Sequence, residues 1–374
     1  MLDSRSNDVL ERALTDDPFI YPRALGCGNC PSLRWCGGLS VRDSIWDCTD
    51  LCCGKPEQCT NVCVRNPAQY VDQNREIIGF DLANIPRLAG NYNPLKHDIV
   101  PLIYHRTGRV RPVAGKIFAL RLHDVVDFNR GEVRFPTREL LCDAFKIDGT
   151  AKIILSGVDH DERIEPWWTL HDLRTRVLHQ LRGLGIDLVT APNFSLLLDK
   201  PRTDDLHAMK RIAIVWSEFE QHGIACALHV NSRTLKDFER WNDFIKLRDE
   251  IGVIAYEFIT GAGKKARRQF HIDGLCKIAQ SAERPLDIVV RGDPDVIPHL
   301  RRDFRNVIYI DTTAYMKTIK RQRAARSGNS KLDWTTSRTN IPAEVDEMLE
   351  HNLDEQTIFL RDRFYGQNTA LGKR

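Results

Sequence analysis

The chain has 374 residues, of which 42% are hydrophobic and 28% are charged. This composition is typical of a globular protein and excludes a disordered or fibrous chain. The net charge is only +3, which excludes overall charge as the basis of nucleic-acid binding. No apolar run reaches the about 18 residues of a transmembrane helix, and the charged start lacks a secretory signal. We therefore expect a cytoplasmic protein without a membrane partner.

Eight of the eleven cysteines lie in one short segment near the amino terminus: Cys27, Cys30, Cys36, Cys48, Cys52, Cys53, Cys59 and Cys63. A segment with so few large apolar residues needs a cross-link to fold, and in a reducing compartment a metal is favoured over disulfides for that link. We therefore predict a metal-binding module over residues 1–66, ligated by sulfur alone. A [4Fe–4S] cluster is the first expectation and Zn²⁺ is the alternative. The three scattered cysteines are predicted to be buried apolar side chains.

Within this module, the stretch C-G-N-C-P-S-L-R-W-C-G-G from Cys27 to Gly38 resembles a known iron–sulfur segment. It is similar to the auxiliary [4Fe–4S] cysteine segment in the carboxyl-terminal extensions of some radical-SAM enzymes. The resemblance implies a cluster of that type. It does not imply radical chemistry, because the C-x3-C-x2-C motif that ligates the SAM-cleaving cluster is absent.

From residue 99 onward, short apolar runs alternate with amphipathic helical patterns. The runs cover residues 99–104, 117–122, 152–155, 187–190, 225–230, 253–258, 286–290 and 307–310. Continuous apolar runs are typical of parallel strands that are covered on both faces. We therefore predict an α/β fold, a (β/α)8-like barrel over residues 67–326, irregular because 104–117 leaves no room for a helix. A doubly wound open sheet is the alternative. Residues 327–374 are predicted to be a helical appendage.

Polar residues follow the predicted strands, where the catalytic groups of barrel enzymes lie. They are Arg121, His123, Asp124, Asp159, Asn193, Asn231, Glu257, Arg291 and Asp311. We expect His123, Asp159, Glu257 and Asp311 to be catalytic groups. Asn193, Asn231 and Arg291 are expected to bind the substrate. For Asp311, the position after an apolar run predicts a carboxylate in the barrel mouth; capping the next helix is the alternative.

A glycine-rich turn with lysines follows another predicted strand. Gly261, Gly263 and Lys264 are expected to bind phosphate, because glycines allow close backbone approach and helix N–H groups face an anion. A plain turn before a basic helix is the alternative. A second basic run consists of Lys317, Lys320, Arg321, Arg323 and Arg326, and it favours a nucleotide or nucleic acid as partner; a solvated helix face is the alternative.

The overall plan, a barrel with a cysteine-rich metal module and basic flanks, is similar to tRNA-guanine transglycosylase-type barrels and their phage relatives that exchange bases in DNA. The resemblance implies one aspartate as nucleophile and another as acid–base, and Asp311 and Asp159 occupy those parts by position. The D-S-G-G-F-Q stretch and the C-x-C-x2-C…H zinc site of those enzymes are missing. The run from Ala191 to Ser195, with Asp199 and Pro201, is also similar to an uncharacterised family carried by phages and mobile elements, which implies no activity.

The sequence supports three hypotheses for the function. The first is a metal- or iron–sulfur-containing enzyme, a glycosyltransferase acting on a nucleotide or nucleic acid through carboxylates at the barrel mouth. The second is a redox or radical-type iron–sulfur enzyme. The third is a non-catalytic nucleic-acid-binding component of a phage or defence system.

Overall fold

The computed structural model describes residues 74–105, 108–196, 202–327, 331–339 and 341–366. The predicted cysteine-rich module, residues 1–66, lies outside the described residues, and all eight of its cysteines lie there with it. The described residues cover most of the predicted barrel and much of the predicted carboxyl-terminal appendage.

Strands occur from Ile99 to Thr336. They are β1 (Ile99–Pro101), β2 (Ile117–Arg121), β3 (Val126–Asp127), β4 (Glu132–Val133), β5 (Lys152–Ser156), β6 (Leu188–Thr190), β7 (Cys226–His229), β8 (Val253–Phe258), β9 (Asp287–Gly292), β10 (Asn306–Asp311), β11 (Gln322–Ser327) and β12 (Lys331–Thr336). Eight of them form one sheet in the order β1-β10-β9-β8-β7-β6-β5-β2, and every neighbouring pair in it is parallel. From β2 to β10, each strand of this sheet pairs with the next one along the chain, and β1 pairs with β10, as in a (β/α)8 barrel.

The barrel is nearly closed by a contact between its first two strands. Just after β1, Leu102 forms a parallel bridge to Ala119 of β2, and the Ile103 N–H donates to the Ala119 carbonyl at 2.9 Å. The predicted barrel-like fold is confirmed, and the open-sheet alternative is not what the chain forms. As predicted, no helix is present in the described residues between β1 and β2.

Helices connect most of the later strands. They are α1 (Leu122–Val125), α2 (Arg138–Phe145), α3 (Asp161–Thr169), α4 (Leu173–Gly183), α5 (Arg202–Gln221), α6 (Leu235–Lys246), α7 (Lys265–Ser281), α8 (Ile297–Leu300), α9 (Thr313–Ile319) and α10 (Pro342–Leu360). Local chemistry sets where several begin: the Thr234 hydroxyl and the Asp237 carboxylate form a reciprocal capping box at the start of α6. Among the described residues, no helix has the length and apolar character needed to span a lipid bilayer.

Two apolar layers line the barrel wall, one on each side. The inner layer consists largely of small and branched side chains, among them Val100, Ala119, Ile154, Leu188, Ala227, Ala255, Val289 and Ile308. The outer layer packs between the strands and the surrounding helices, with Val307 and Tyr309 of β10 as examples. Alternate residues of a strand thus face opposite sides of the wall, which decides which polar residues enter the mouth.

Helix α10, within the predicted appendage 327–374, packs directly on the barrel. The Tyr365 hydroxyl, just beyond it, lies 2.9 Å from the carbonyl oxygens of both Asp98 and Val307, and Arg361 binds the Asp98 carboxylate at 2.7 Å. Asn352 of α10 accepts from the Ala324 N–H of the β11–β12 hairpin at 2.8 Å. Helix α10 therefore covers the side of the barrel where the described part of the β1–β2 connection contains no helix.

The segment before β1 is held to the barrel through its backbone. Arg240 donates to the Phe80 carbonyl at 2.7 Å, Arg248 donates to the Pro86 carbonyl at 2.8 Å, and buried Lys210 donates to the Asp81 carbonyl. At the amino-terminal end of the strands, the Tyr92 hydroxyl donates to Asp287 at 2.6 Å. The arginine and lysine contacts satisfy carbonyls of a segment that has almost no secondary structure of its own.

Candidate functional site

The carboxyl ends of the barrel strands meet at one mouth, where inward-facing polar side chains collect. Following the alternation, Arg121 lies one inward step beyond Ala119 on β2, and Arg291 lies one step beyond Val289 on β9. His123, Asp124 and Asp159 are in the segments that come after β2 and β5. We call Arg121, His123, Asp124 and Asp159 the rim cluster.

Arg121 is the fixed centre of the rim cluster. Its Nε and Nη2 donate to the two carboxylate oxygens of Asp124 at 2.7 and 2.9 Å, and its Nη1 lies 3.8 Å from Asp159 Oδ2. The guanidinium carbon lies 4.5 Å from the centroid of the Tyr104 ring. A bidentate ion pair and a stacked ring together fix the plane of the guanidinium group. The sequence-based prediction missed Tyr104, although residues 100, 102 and 104 continue the inward alternation of β1.

His123 lies between two carboxylates. Its Nδ1 is 3.3 Å from Asp159 Oδ2, and its Nε2 is 3.4 Å from Asp124 Oδ1. Burial lowers the pKa of His123, while the negative charges of Asp124 and Asp159 oppose that shift. A lowered pKa favours the neutral imidazole, whose unprotonated nitrogen can accept a proton. The structure thus brings together His123 and Asp159, two of the four predicted catalytic residues.

Asp159 is held in place from several directions. Its carboxylate accepts from the His160 N–H at 2.9 Å and lies 3.3 Å from the guanidinium of Arg163, in addition to its contact with His123. Its side chain is only 8% exposed, so this carboxylate is not freely solvated.

Arg291 crosses the mouth. Strands β9 and β5 lie on opposite sides of the eight-stranded barrel, yet Arg291 Nη1 donates to the Val158 carbonyl, just after β5, at 2.5 Å. Its Nε is buried without a hydrogen-bond partner among the described residues, and so is Oδ1 of Asn193. The Asn193 N–H donates to the neighbouring Gly157 carbonyl at 3.2 Å, so a free donor and a free acceptor flank the same loop. Buried polar atoms without partners are rare, and a bound ligand would satisfy them.

Glu257 and Asn231 have protein partners that occupy them. Glu257 accepts from the Ile259 N–H at 2.8 Å and from the Thr260 hydroxyl at 2.9 Å, and Asn231 donates to the Phe194 carbonyl at 3.0 Å. Both side chains therefore stabilise the conformation of the loops at the mouth. Their predicted roles toward a substrate remain predictions.

Asp311 is buried in the layer between the barrel wall and α10. Ile308 and Ile310 belong to the inner layer, so the alternation turns Asp311 outward. Its carboxylate accepts from the Ala314 N–H at 3.1 Å and from Gln356 of α10 at 3.2 Å. This placement agrees with the helix-capping alternative and takes the carboxylate away from the mouth.

Close backbone packing accounts for one glycine of the glycine-rich turn. Gly261–Gly263 form a single 3-10 turn after β8, and a Cβ on Gly263 would lie 2.3 Å from the Phe258 carbonyl oxygen. Lys264 and Lys265 are exposed, and Arg268 pairs with Asp293. A tight backbone contact thus explains Gly263, and phosphate binding by this turn stays a prediction.

The predicted metal ligands, the eight clustered cysteines, lie outside the described residues. Within the described part of the chain, no group of three or more His, Cys, Asp or Glu side chains is arranged to hold a metal ion. Cys142, Cys226 and Cys276 are buried free thiols, as predicted for the scattered cysteines.

No protein-family model matches the chain, and no curated protein matches it in sequence. The function therefore has to be argued from the rim cluster and its surroundings.

Proposed function

We propose that the protein is an enzyme that binds a nucleotide or nucleic acid at the barrel mouth and transfers a proton through His123 and Asp159. The observation that carries the proposal is the position of His123 between the carboxylates of Asp124 and Asp159, next to a stacked arginine at the carboxyl end of β2. Such a group of a neutral imidazole and ion-paired carboxylates is typical of acid–base sites.

Anion binding is the proposed role of Arg291. Its Nε lacks a partner in the described residues, and its side chain crosses the opening toward Val158. A guanidinium group in that position can donate to a phosphate oxygen, while the free Oδ1 of Asn193 can accept from a base or sugar of the same substrate.

Base exchange is a finer version of this proposal. Asp159 is suited to the acid–base part, because it contacts His123 and lies next to Val158, whose carbonyl Arg291 binds. The nucleophile would have to be a group other than Asp311, because its carboxylate accepts a hydrogen bond from Gln356 of α10 on the outer side of the barrel wall. Asp124 is the second carboxylate at the mouth, but Arg121 occupies both of its oxygens.

Two substitutions distinguish substrate binding from catalysis. We expect Arg291→Met to weaken binding of a mononucleotide at least tenfold, measured by calorimetry over a panel of ribo- and deoxyribonucleotides. We expect His123→Asn to keep that affinity within about threefold and to lower turnover of the substrate so identified by about 10²–10⁴-fold, the usual contribution of a general acid–base.

The matched control is His160→Asn, which alters an exposed histidine beside Asp159 that forms no part of the rim cluster. It should retain both affinity and turnover. If His123→Asn turned over substrate as fast as this control, the proposed acid–base role would be wrong.

We also propose that the cysteines between Cys27 and Cys63 hold a [4Fe–4S] cluster, with Zn²⁺ as the alternative; this rests on the sequence alone. Anaerobically purified protein should contain iron and sulfide and absorb in the visible range. Colourless protein with stoichiometric zinc would support the alternative and remove the redox or radical hypothesis. Protein without either metal would contradict the proposal. Cys142→Ser, at a buried scattered cysteine, should leave the metal content unchanged.

A non-catalytic nucleic-acid-binding role is supported by one further contact. Lys317 of the second basic run lies with its Nζ 5.6 Å from the centroid of the Trp334 ring, so a cation and an aromatic side chain share one surface. A gel shift with Lys317→Glu/Lys320→Glu tests it. Affinity equal to that of the parent chain would reject this surface.

A further inference from the structure

A cavity opens at the amino-terminal end of the barrel, opposite the mouth. It has a volume of about 490 Å³ and lies between the segment before β1 and the starts of β9 and β10. Its charged and titratable lining residues are Lys96, His97, Asp98, Asp287, Arg305 and Arg361. We call this cavity the basal cavity. Its volume is in the range of small-ligand sites.

Both carboxylates of the basal cavity are already neutralised. Asp98 accepts from Nε and Nη2 of Arg361 at 2.8 and 2.7 Å. Asp287 accepts from Arg305 Nε at 2.7 Å and from the Tyr92 hydroxyl at 2.6 Å. Each arginine has five N–H donors, so each pair leaves donors for another acceptor.

The remaining charge around the cavity is positive. Lys96 lines it, and Lys116 and Lys152, at the starts of β2 and β5, are close enough to His97 to lower its pKa, after the larger effect of burial. In the described part of the chain, none of these three lysines forms an ion pair. Nδ1 of His97 is buried and has no hydrogen-bond partner among the described residues. Uncompensated charge of one sign around a concave surface concentrates ions of the opposite sign.

We infer that the basal cavity binds a small phosphate-bearing molecule. Phosphate oxygens accept from arginine, lysine and imidazole N–H groups, which are the donors that this cavity offers. The site is separate from the barrel mouth, and the inference does not depend on the function proposed there.

The test is calorimetric titration of the full-length protein with inorganic phosphate and, separately, with a nucleoside monophosphate. The variant is Lys96→Glu/Lys152→Glu, since both side chains are exposed and their reversal should not disturb the fold. We expect it to weaken phosphate binding at least tenfold, with an unchanged melting temperature. Tighter binding of the nucleoside monophosphate than of phosphate, lost in the same variant, would support the inference and identify a nucleotide as the ligand.

The matched control reverses two exposed lysines of α6 and α7 that do not line the basal cavity, Lys236→Glu/Lys277→Glu, which changes the net charge by the same amount. It should bind phosphate as the parent does. If both double variants lost affinity equally, binding would reflect overall charge and the inference would fail. It would also fail if the parent bound no phosphate, or if only a long oligonucleotide bound. Arg291→Met should retain phosphate binding here, so failure at the mouth and failure at the basal cavity are distinguishable.

Discussion

Asp346→Ala should lower the free energy of unfolding by about 3–5 kcal/mol, because it removes one partner of a buried ion pair. Asp346 lies in α10, and its Oδ1 accepts from Arg109 Nε at 3.1 Å, with both side chains 2% exposed. Its Oδ2 also accepts from the N–H groups of Val110 and Arg111 at 3.0 Å each. The substitution thus leaves the buried Arg109 guanidinium without its counter-ion and two N–H groups without their acceptor.

Urea denaturation of the parent and the variant measures this effect. Glu347→Ala is the matched control, because Glu347 pairs with Arg111 at 3.5 Å with side chains 65% and 50% exposed. An exposed pair of this kind contributes about 0–1 kcal/mol. Should Asp346→Ala be no less stable than Glu347→Ala, α10 would not be the structural part of the barrel that we describe.

The same ion pair joins α10 to the β1–β2 connection. Arg109 lies in the β1–β2 connection, beyond Tyr104, which stacks on Arg121 of the rim cluster. Arg109 also donates to the Phe145 and Lys146 carbonyls at 2.9 and 2.6 Å. Helix α10 therefore supports a connection that has no helix of its own in the described residues.

The sequence predicts the barrel because its strands are buried on both faces. Continuous apolar runs such as 253–258 are typical of such strands, and the short spacing from 104 to 117 already excludes a helix there. The docking of α10 was not predictable in this way. It depends on Asp346 and Arg109, which are 237 positions apart in the chain, and no local pattern joins them.

The same continuity explains why the sequence alone does not exclude Asp311 from the mouth. In the run 306–311, both faces of the strand carry large apolar residues, so the sequence does not indicate which of them face inward. The neighbouring strands show which residues face inward. Ala119, Ala227 and Ala255 are small residues that suit the interior of the barrel. The register of β10 against these strands then places Ile310 on the inward face and Asp311 on the outward face. The same register places Arg121 and Arg291 on the inward face, at the mouth.

Buried histidines should make the protein sensitive to mild acid. Burial, and then the charge of Arg233, lowers the pKa of His229 to about 3, and burial, followed by Arg267 and Arg233, lowers that of His271 to about 3. In the unfolded chain both titrate near the ordinary value of about 6.5. Between these two values the unfolded state binds more protons, so stability rises with pH and is lost as the pH falls below about 6.5.

The expected loss is about 2 kcal/mol per buried histidine between pH 7.5 and pH 5, and so about 4 kcal/mol for the two. That is a large share of the about 5–15 kcal/mol that stabilises a typical domain. Urea denaturation at the two pH values measures it.

His229→Leu isolates one of these contributions. Both ring nitrogens of His229 lack a hydrogen-bond partner among the described residues, so the substitution removes a titrating group without breaking a hydrogen bond of its side chain in that part of the chain. The variant should lose about 2 kcal/mol less than the parent between the two pH values, and it should be at least as stable at pH 7.5. Other groups that titrate in this range cancel in the comparison. His160→Gln, at an exposed histidine, should behave like the parent, and an identical acid-induced loss in His229→Leu would show that this imidazole is not a buried neutral group.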